Sequence, residues 1–185
     1  MGCDICKGAQ VIYKDNIPYK CVCLTAKEIL NYLGNYYKDA LFTENKETLS
    51  KLEKNKFMYF SLIDSKCTWN EAKKRIKSYL IHTIKTKKIS HYTLTPTELI
   101  TITITNGELR SIIDDTDFVI LYIDSDTPNS YYKEYIPQFL KHRHLNNKRT
   151  WIYSIHGLEN SDFRSKYGVE TITTIKELFA IPSIK

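Results

Sequence analysis

Cysteine is where this sequence first offers chemistry. Cys3 and Cys6 form a C-x2-C pair, and Cys21 and Cys23 form a C-x-C pair. Thiolates on two tight turns can close a tetrahedron around Zn²⁺, with sulfur about 2.3 Å from the metal. The stretch between the pairs, KGAQVIYKDNIPYK, reads as a β-hairpin turning at Asp15-Asn16, which would carry them together. Four thiolates fill every position around such an ion, so the expectation is a structural zinc knuckle with no open site for substrate. Reduced, unligated thiols are the other reading. Disulfides would need an exported chain, and the N-terminus has no apolar stretch of the signal-peptide kind. Cys67 stands alone and reads as a small buried apolar residue.

A second set of residues has the order of a nucleotide site. A short apolar run, Phe57–Phe60, precedes the polar stretch SLIDSKCT. Beyond it, Ala72, Ile76, Leu80 and Ile84 recur every four residues, as one apolar face of a helix requires, with Lys73, Lys74, Lys77 and Lys85 between them on the wet side. Later comes FVILYI, an apolar run that ends in Asp124-Ser125-Asp126. A phosphate-binding loop at the polar turn would read G-x-x-x-x-G-K-[ST]. Here Thr68 fits the last place, and sliding by one residue makes Lys66 the lysine with Phe60 and Ser65 in the glycine slots. Such a loop cradles phosphates with successive backbone N–H groups, which demands positive φ and close approach, and only glycine allows both cheaply. Asp64 would add a carboxylate beside the phosphate charge, and the six glycines all stand isolated. ATP binding is therefore not expected, and Lys66, Thr68 and Asp124 read as remnants of a degenerate site. Asp124 lies where a Mg²⁺-holding acid would sit, or else caps the turn after a buried strand.

The elements that must position these residues alternate strand and helix from Phe57 onward, the pattern of a βαβ sheet. SHYTLT reads as strand, and Thr95-Pro96 as an N-cap and first helical position. TITITNG is β-branched and fits strand at least as well as helix. Phe118–Ile123 reads as a central parallel strand, buried on both faces. A helix is expected near residues 130–144, a strand at Thr150–Ser154, and a short strand and helix in ETITTIKELF. Three zones result: a cysteine knuckle (1–24), a helix and connector (25–56) and an α/β domain (57–185). Within 185 residues, 42% hydrophobic and 26% charged, these fit a soluble globular chain. No apolar run approaches a membrane span, which predicts a cytoplasmic protein. The net charge of +6 suits nucleic acid or an acidic partner without requiring either. Lys141, Arg143, Lys148 and Arg149 form a candidate patch for a nucleic-acid backbone, with Tyr131, Tyr132 and Trp151 as stacking surface.

In these features the chain resembles the DnaC/DnaI/IstB group of AAA+ proteins, which load replicative helicases or assist transposases. The resemblance covers nearly the whole chain. Members open with C-x2-C, a G-x-G tract and C-x-C, against CDICKGAQVIYKDNIPYKCVC here, where Gln10 replaces the second glycine. GNYYKDALF echoes a further segment, and FVILYIDSDTPNSYYKEYIPQFLKHRHLNNKRTWIYS follows the family's acidic strand, helix and sensor strand. Arg143, Lys148 and Ser154 are the most specific matches. Ile155 stands where the family has its sensor asparagine, Arg164 in FRSKYG is the candidate arginine finger, and the chain ends before the usual helical lid. The resemblance implies a P-loop NTPase (AAA+)-like parallel sheet flanked by helices, without the lid, behind a zinc-knuckle hairpin. It further implies a pseudo-ATPase of DNA replication, from a phage or other mobile element. Its partners would be a replicative helicase, a partner loader ATPase, or single-stranded DNA, in a hetero-oligomer. A weak ATPase that loads helicase, and an inhibitor that mimics a loader subunit, are the alternatives.

Overall fold

The computed structural model describes residues 4, 6–7, 9, 11–20, 28–29, 31–37, 61–62, 68–86, 89–123, 129–154 and 156–178. Strands β1 (Val11–Lys14) and β2 (Ile17–Lys20) pair antiparallel, with Val11 opposite Lys20 and Lys14 opposite Ile17. Asp15 and Asn16 both take positive φ, 53° and 62°. Two left-handed residues match the twist of the strands they join, and Asp and Asn tolerate that region better than other side chains. The turn falls where the sequence predicts it.

The second sheet is parallel, in the order β3-β6-β5-β4. Its strands are β3 (Ser61–Leu62), β4 (His91–Leu94), β5 (Phe118–Ile123) and β6 (Arg149–Ser154). Helix α1 (Trp69–Thr86) joins β3 to β4, and α2 (Pro96–Thr105) with α3 (Gly107–Asp115) joins β4 to β5. Helix α4 (Tyr132–Leu145) leads into β6, and α5 (Ser161–Leu178) follows it. Alternation along β5 divides the core. Phe118 and Ile120 join Trp151, Tyr153 and the α1 stripe of Ala72, Ile76, Tyr79 and Leu80. Val119, Leu121 and Ile123 pack with residues of α2, α3, α4 and α5. The period of 2 in a strand produces this split, since successive side chains leave on opposite faces. Leu33 and Tyr37 belong to the α1 side, so the helical part of the zone 25–56 contributes to the core of the α/β domain.

Several expectations shift. The run Phe57–Phe60 lies outside the described residues, and the strand that is described, Ser61–Leu62, takes the first two positions read as loop. Lys77, expected on the wet side of α1, is only 8% exposed. TITIT is helical because α2 starts so firmly: Thr95 and Glu98 form a capping box around Pro96. Leu99 and Ile100 are buried, and the hydroxyls of Thr103 and Thr105 donate to carbonyls four residues back, at 2.7 Å each. ETITTIKEL likewise belongs to α5, where Thr171, Ile172, Thr174 and Ile175 are buried and overrule β-propensity. Gly168 breaks that helix at φ 80°, ψ 166°, a conformation open almost only to glycine.

Candidate functional site at the carboxyl edge of the sheet

Parallel strands bring all their carboxyl ends to one edge, where ligands of open α/β sheets bind. Two of the helices that follow these strands, α1 and α2, open on a Thr-x-x-Glu cap. Thr68 sits just before α1 and forms a reciprocal cap with Glu71. The Thr68 N–H and hydroxyl donate to Glu71 Oε2 at 2.8 and 3.0 Å, and the Glu71 N–H donates to Thr68 Oγ1 at 3.3 Å. The same Thr-x-x-Glu box opens α2 at Thr95 and Glu98. Those two hydrogen bonds hold the Glu71 carboxyl below its ordinary range.

This geometry bears on phosphate chemistry. A helix N-terminus attracts anions through its unpaired N–H groups and dipole. At α1 a carboxylate of the chain's own already occupies that role, and a phosphate arriving there would meet its charge. The hydroxyl that would face Mg²⁺ in a working loop is turned into the cap instead. Counted back from Thr68, the eight places of the phosphate-loop pattern begin at Ser61, inside β3, where the pattern asks for glycine. Lys66 and Asp124 lie outside the described residues, as does Ile155. The capping signal is present in the sequence as Thr68-Trp69-Asn70-Glu71 before an apolar run, where Thr68 reads equally as the last place of a phosphate loop.

Aromatic side chains fill the same edge. Trp69 stacks on Tyr122 with centroids 4.3 Å apart and lies 5.1 Å from Tyr153. Tyr122 and Tyr153 stack on each other at 5.5 Å. They come from the penultimate positions of β5 and β6 and the first turn of α1, so three elements close on one another through rings. Ser154 is buried, and its hydroxyl donates to the His156 carbonyl at 2.8 Å. Arg164 is exposed in the first turn of α5.

The basic residues lie elsewhere. Lys148 and Arg149 precede and open β6, at the amino edge of the sheet. Arg143 faces inward with 0% exposure, a correction to its place in a backbone-contacting patch. Its Nε donates to Thr150 Oγ1 at 2.8 Å, Nη1 to the carbonyls of Ile113 and Asp114, and Nη2 to those of Thr116 and Arg149. All five guanidinium N–H groups are thereby used. Three of the acceptors are carbonyls at the end of α3, so Arg143 caps that helix from α4 and ties it to β6. Lys148 Nζ donates to the Asp115 carbonyl at 2.7 Å, adding to the same cap. Lys141 pairs with Glu170 at 2.8 Å on the surface, and the Arg149 guanidinium lies over the Tyr79 ring. Tyr132 and Trp151, offered as stacking surface, are buried, whereas Tyr131 is exposed.

Of the four knuckle cysteines, Cys6 is described and buried, in a turn closed by the Ala9 N–H on its carbonyl at 2.9 Å. Cys3, Cys21 and Cys23 lie outside the described residues. Pairing of Val11 with Lys20 makes the chain enter and leave the hairpin at one end. As a donor set, four thiolates suit Zn²⁺ by their chemistry.

No protein family's sequence profile matches the chain, and no curated protein does. Among solved structures, the crystal structure of the DnaC helicase loader superposes with a TM-score of 0.54 at 16% identity, covering 84% of this chain and 97% of that one. The fold is DnaC-like. At that identity the likeness establishes the architecture alone, because function resides in sites grafted onto a fold. Two of the residues that carried the resemblance, Arg143 and Lys148, have architectural work in the DnaC-like frame. Among the described residues, no helix is long and apolar enough to cross a membrane.

Proposed function

We propose that this chain is a helicase-loader-like protein of DNA replication that acts without binding a nucleotide of its own. It would engage a replicative helicase, a partner loader ATPase or single-stranded DNA. The observation that carries the reading is the Thr68–Glu71 cap, a carboxylate at the helix end where a DnaC-like frame would receive phosphate. The ring contacts of Trp69, Tyr122 and Tyr153 support it, since α1, β5 and β6 pack on one another through side chains at the carboxyl edge. The N-terminal knuckle would hold Zn²⁺ through Cys3, Cys6, Cys21 and Cys23 as a structural staple. Lys141, Lys148 and Arg149 are the basic residues left for phosphate contacts, without Arg143.

Thermal melting with and without Mg·ATP tests the central claim. Binding at one hundred times Kd would stabilise the fold by about 2.7 kcal/mol, several degrees for a chain of this size. The expected shift is nil. A clear Mg·ATP-dependent rise, lost in Lys66→Ala, would replace this reading with that of a weak ATPase.

A further inference from the structure

The outward face of α3 carries a feature that neither the nucleotide site nor the basic patch uses. Glu108, Ser111, Ile112 and Asp115 recur three and four residues apart and so share one side of the helix. With Ser90 and Thr116 they line an open groove of about 370 Å³ at the amino edge of the sheet. Ile112 is 54% exposed between the two carboxylates, whereas Ile113 beside it is fully buried. Among the described residues, two nearby cations are engaged with other atoms: Arg110 pairs with Asp114 at 3.0 Å, and Lys148 donates to the Asp115 carbonyl. In a chain of net charge +6, this face runs against the prevailing sign.

We infer that the groove docks a segment of a protein partner that pairs an aliphatic side chain with flanking lysine or arginine. The aliphatic group would lie on Ile112, and the cations would reach Glu108 and Asp115. Burial of the apolar anchor would supply most of the affinity, and the two carboxylates would set register and speed encounter. Nucleic acid does not suit this face, because its phosphates would meet two carboxylates. An enclosed small-molecule site does not suit it either, since such sites bury most of their ligand and this groove is open. The inference stands apart from the nucleotide reading, and either can fail without the other.

The test is an NMR titration of the isotope-labelled full chain with three probes. They are a synthetic peptide of leucines flanked by lysines, the same peptide with glutamate in place of lysine, and a single-stranded oligonucleotide. The lysine peptide is expected to move the amide signals of Ser90, Ser111, Ile112 and Thr116. The double variant Glu108→Gln/Asp115→Asn is expected to weaken its binding about tenfold or more, as loss of about 1.4 kcal/mol implies. Ile112→Ser should weaken it comparably, and all three changes lie on exposed positions that leave the fold intact. Unmoved signals at these residues overturn the inference. So does an equal response to the glutamate peptide or to the oligonucleotide. Movement of the same signals with protein concentration alone would assign the groove to a second copy of this chain and overturn it as well.

Discussion

Arg143 shows how a residue's surroundings decide its meaning. Its charge and its place near other cations suggest contact with a polyanion, yet the side chain spends all five donors inside the protein. Carbonyls at the end of a helix have no partners within that helix. A planar guanidinium can satisfy several at once, which a lysine ammonium cannot. Arg143→Leu would leave buried carbonyls unpaired, and each costs about 1–3 kcal/mol. The expected loss in urea unfolding is therefore at least about 3 kcal/mol, and Arg143→Lys should recover only part of it. A variant as stable as the parent but defective in oligonucleotide binding would restore Arg143 to the surface patch. Thr68 carries the same lesson, since its hydroxyl serves the start of a helix.

At the scale of elements, the stretch 31–37 docks on β4 and the segments before and after it through three tyrosines. The Tyr32 hydroxyl donates to the Ile89 carbonyl at 2.8 Å, Tyr37 meets Thr93 Oγ1 at 2.7 Å, and Tyr36 reaches Glu98. His91 joins them: its Nε2 lies 2.5 Å from the Tyr32 carbonyl, and its ring packs edge-on to Tyr32 at 4.7 Å. Nδ1 is buried without a hydrogen-bond partner. Nε2 must donate to the carbonyl, so Nδ1 is the bare nitrogen, and protonating it would bury an unsatisfied N–H. Burial thus lowers the His91 pKa below its ordinary 6.5, against a smaller upward pull from the Tyr32 carbonyl. A depressed folded-state pKa means that the unfolded chain takes up the proton first as pH falls. The contribution is fully present above 6.5 and is lost as pH drops through the lower folded value. Protection of the Tyr32 and Leu33 amides, corrected for the intrinsic pH dependence of exchange, should fall as pH drops below about 6.5. His91→Phe should flatten that response, and an unchanged pH profile in the variant would exclude His91 as its source.

The whole molecule divides by how each part is held. The hairpin forms a sheet of its own, and among the described residues neither core cluster includes a residue from it. A two-stranded hairpin is marginal in water unless something staples it. The proposed zinc knuckle would supply that staple. Chelator should therefore abolish the dispersion of signals from Val11–Tyr19 while the melting of the α/β domain stays within a degree or so of its starting value, because its core lies elsewhere. Loss of both together would tie the knuckle to the domain, and loss of neither would remove the metal from the account.

The division between what was legible and what was not follows range. Local chemistry was readable. The Asp15-Asn16 turn, the Thr95-Pro96 helix start, the buried strand Phe118–Ile123 and the spacing of Ala72, Ile76 and Leu80 each depend on a few adjacent residues, and each matches the fold. The threonine-rich stretches misled, because β-branching biases a backbone only weakly and burial against neighbouring elements overrules it. By itself, the sequence determined that an alternating α/β frame forms and that its first turn lacks phosphate-loop glycines. Only the tertiary structure decided which charges face water, since inward and outward on a helix are set by what packs against it. Arg143 is buried and Ile112 exposed for that reason, and no pattern of residue types could have told them apart.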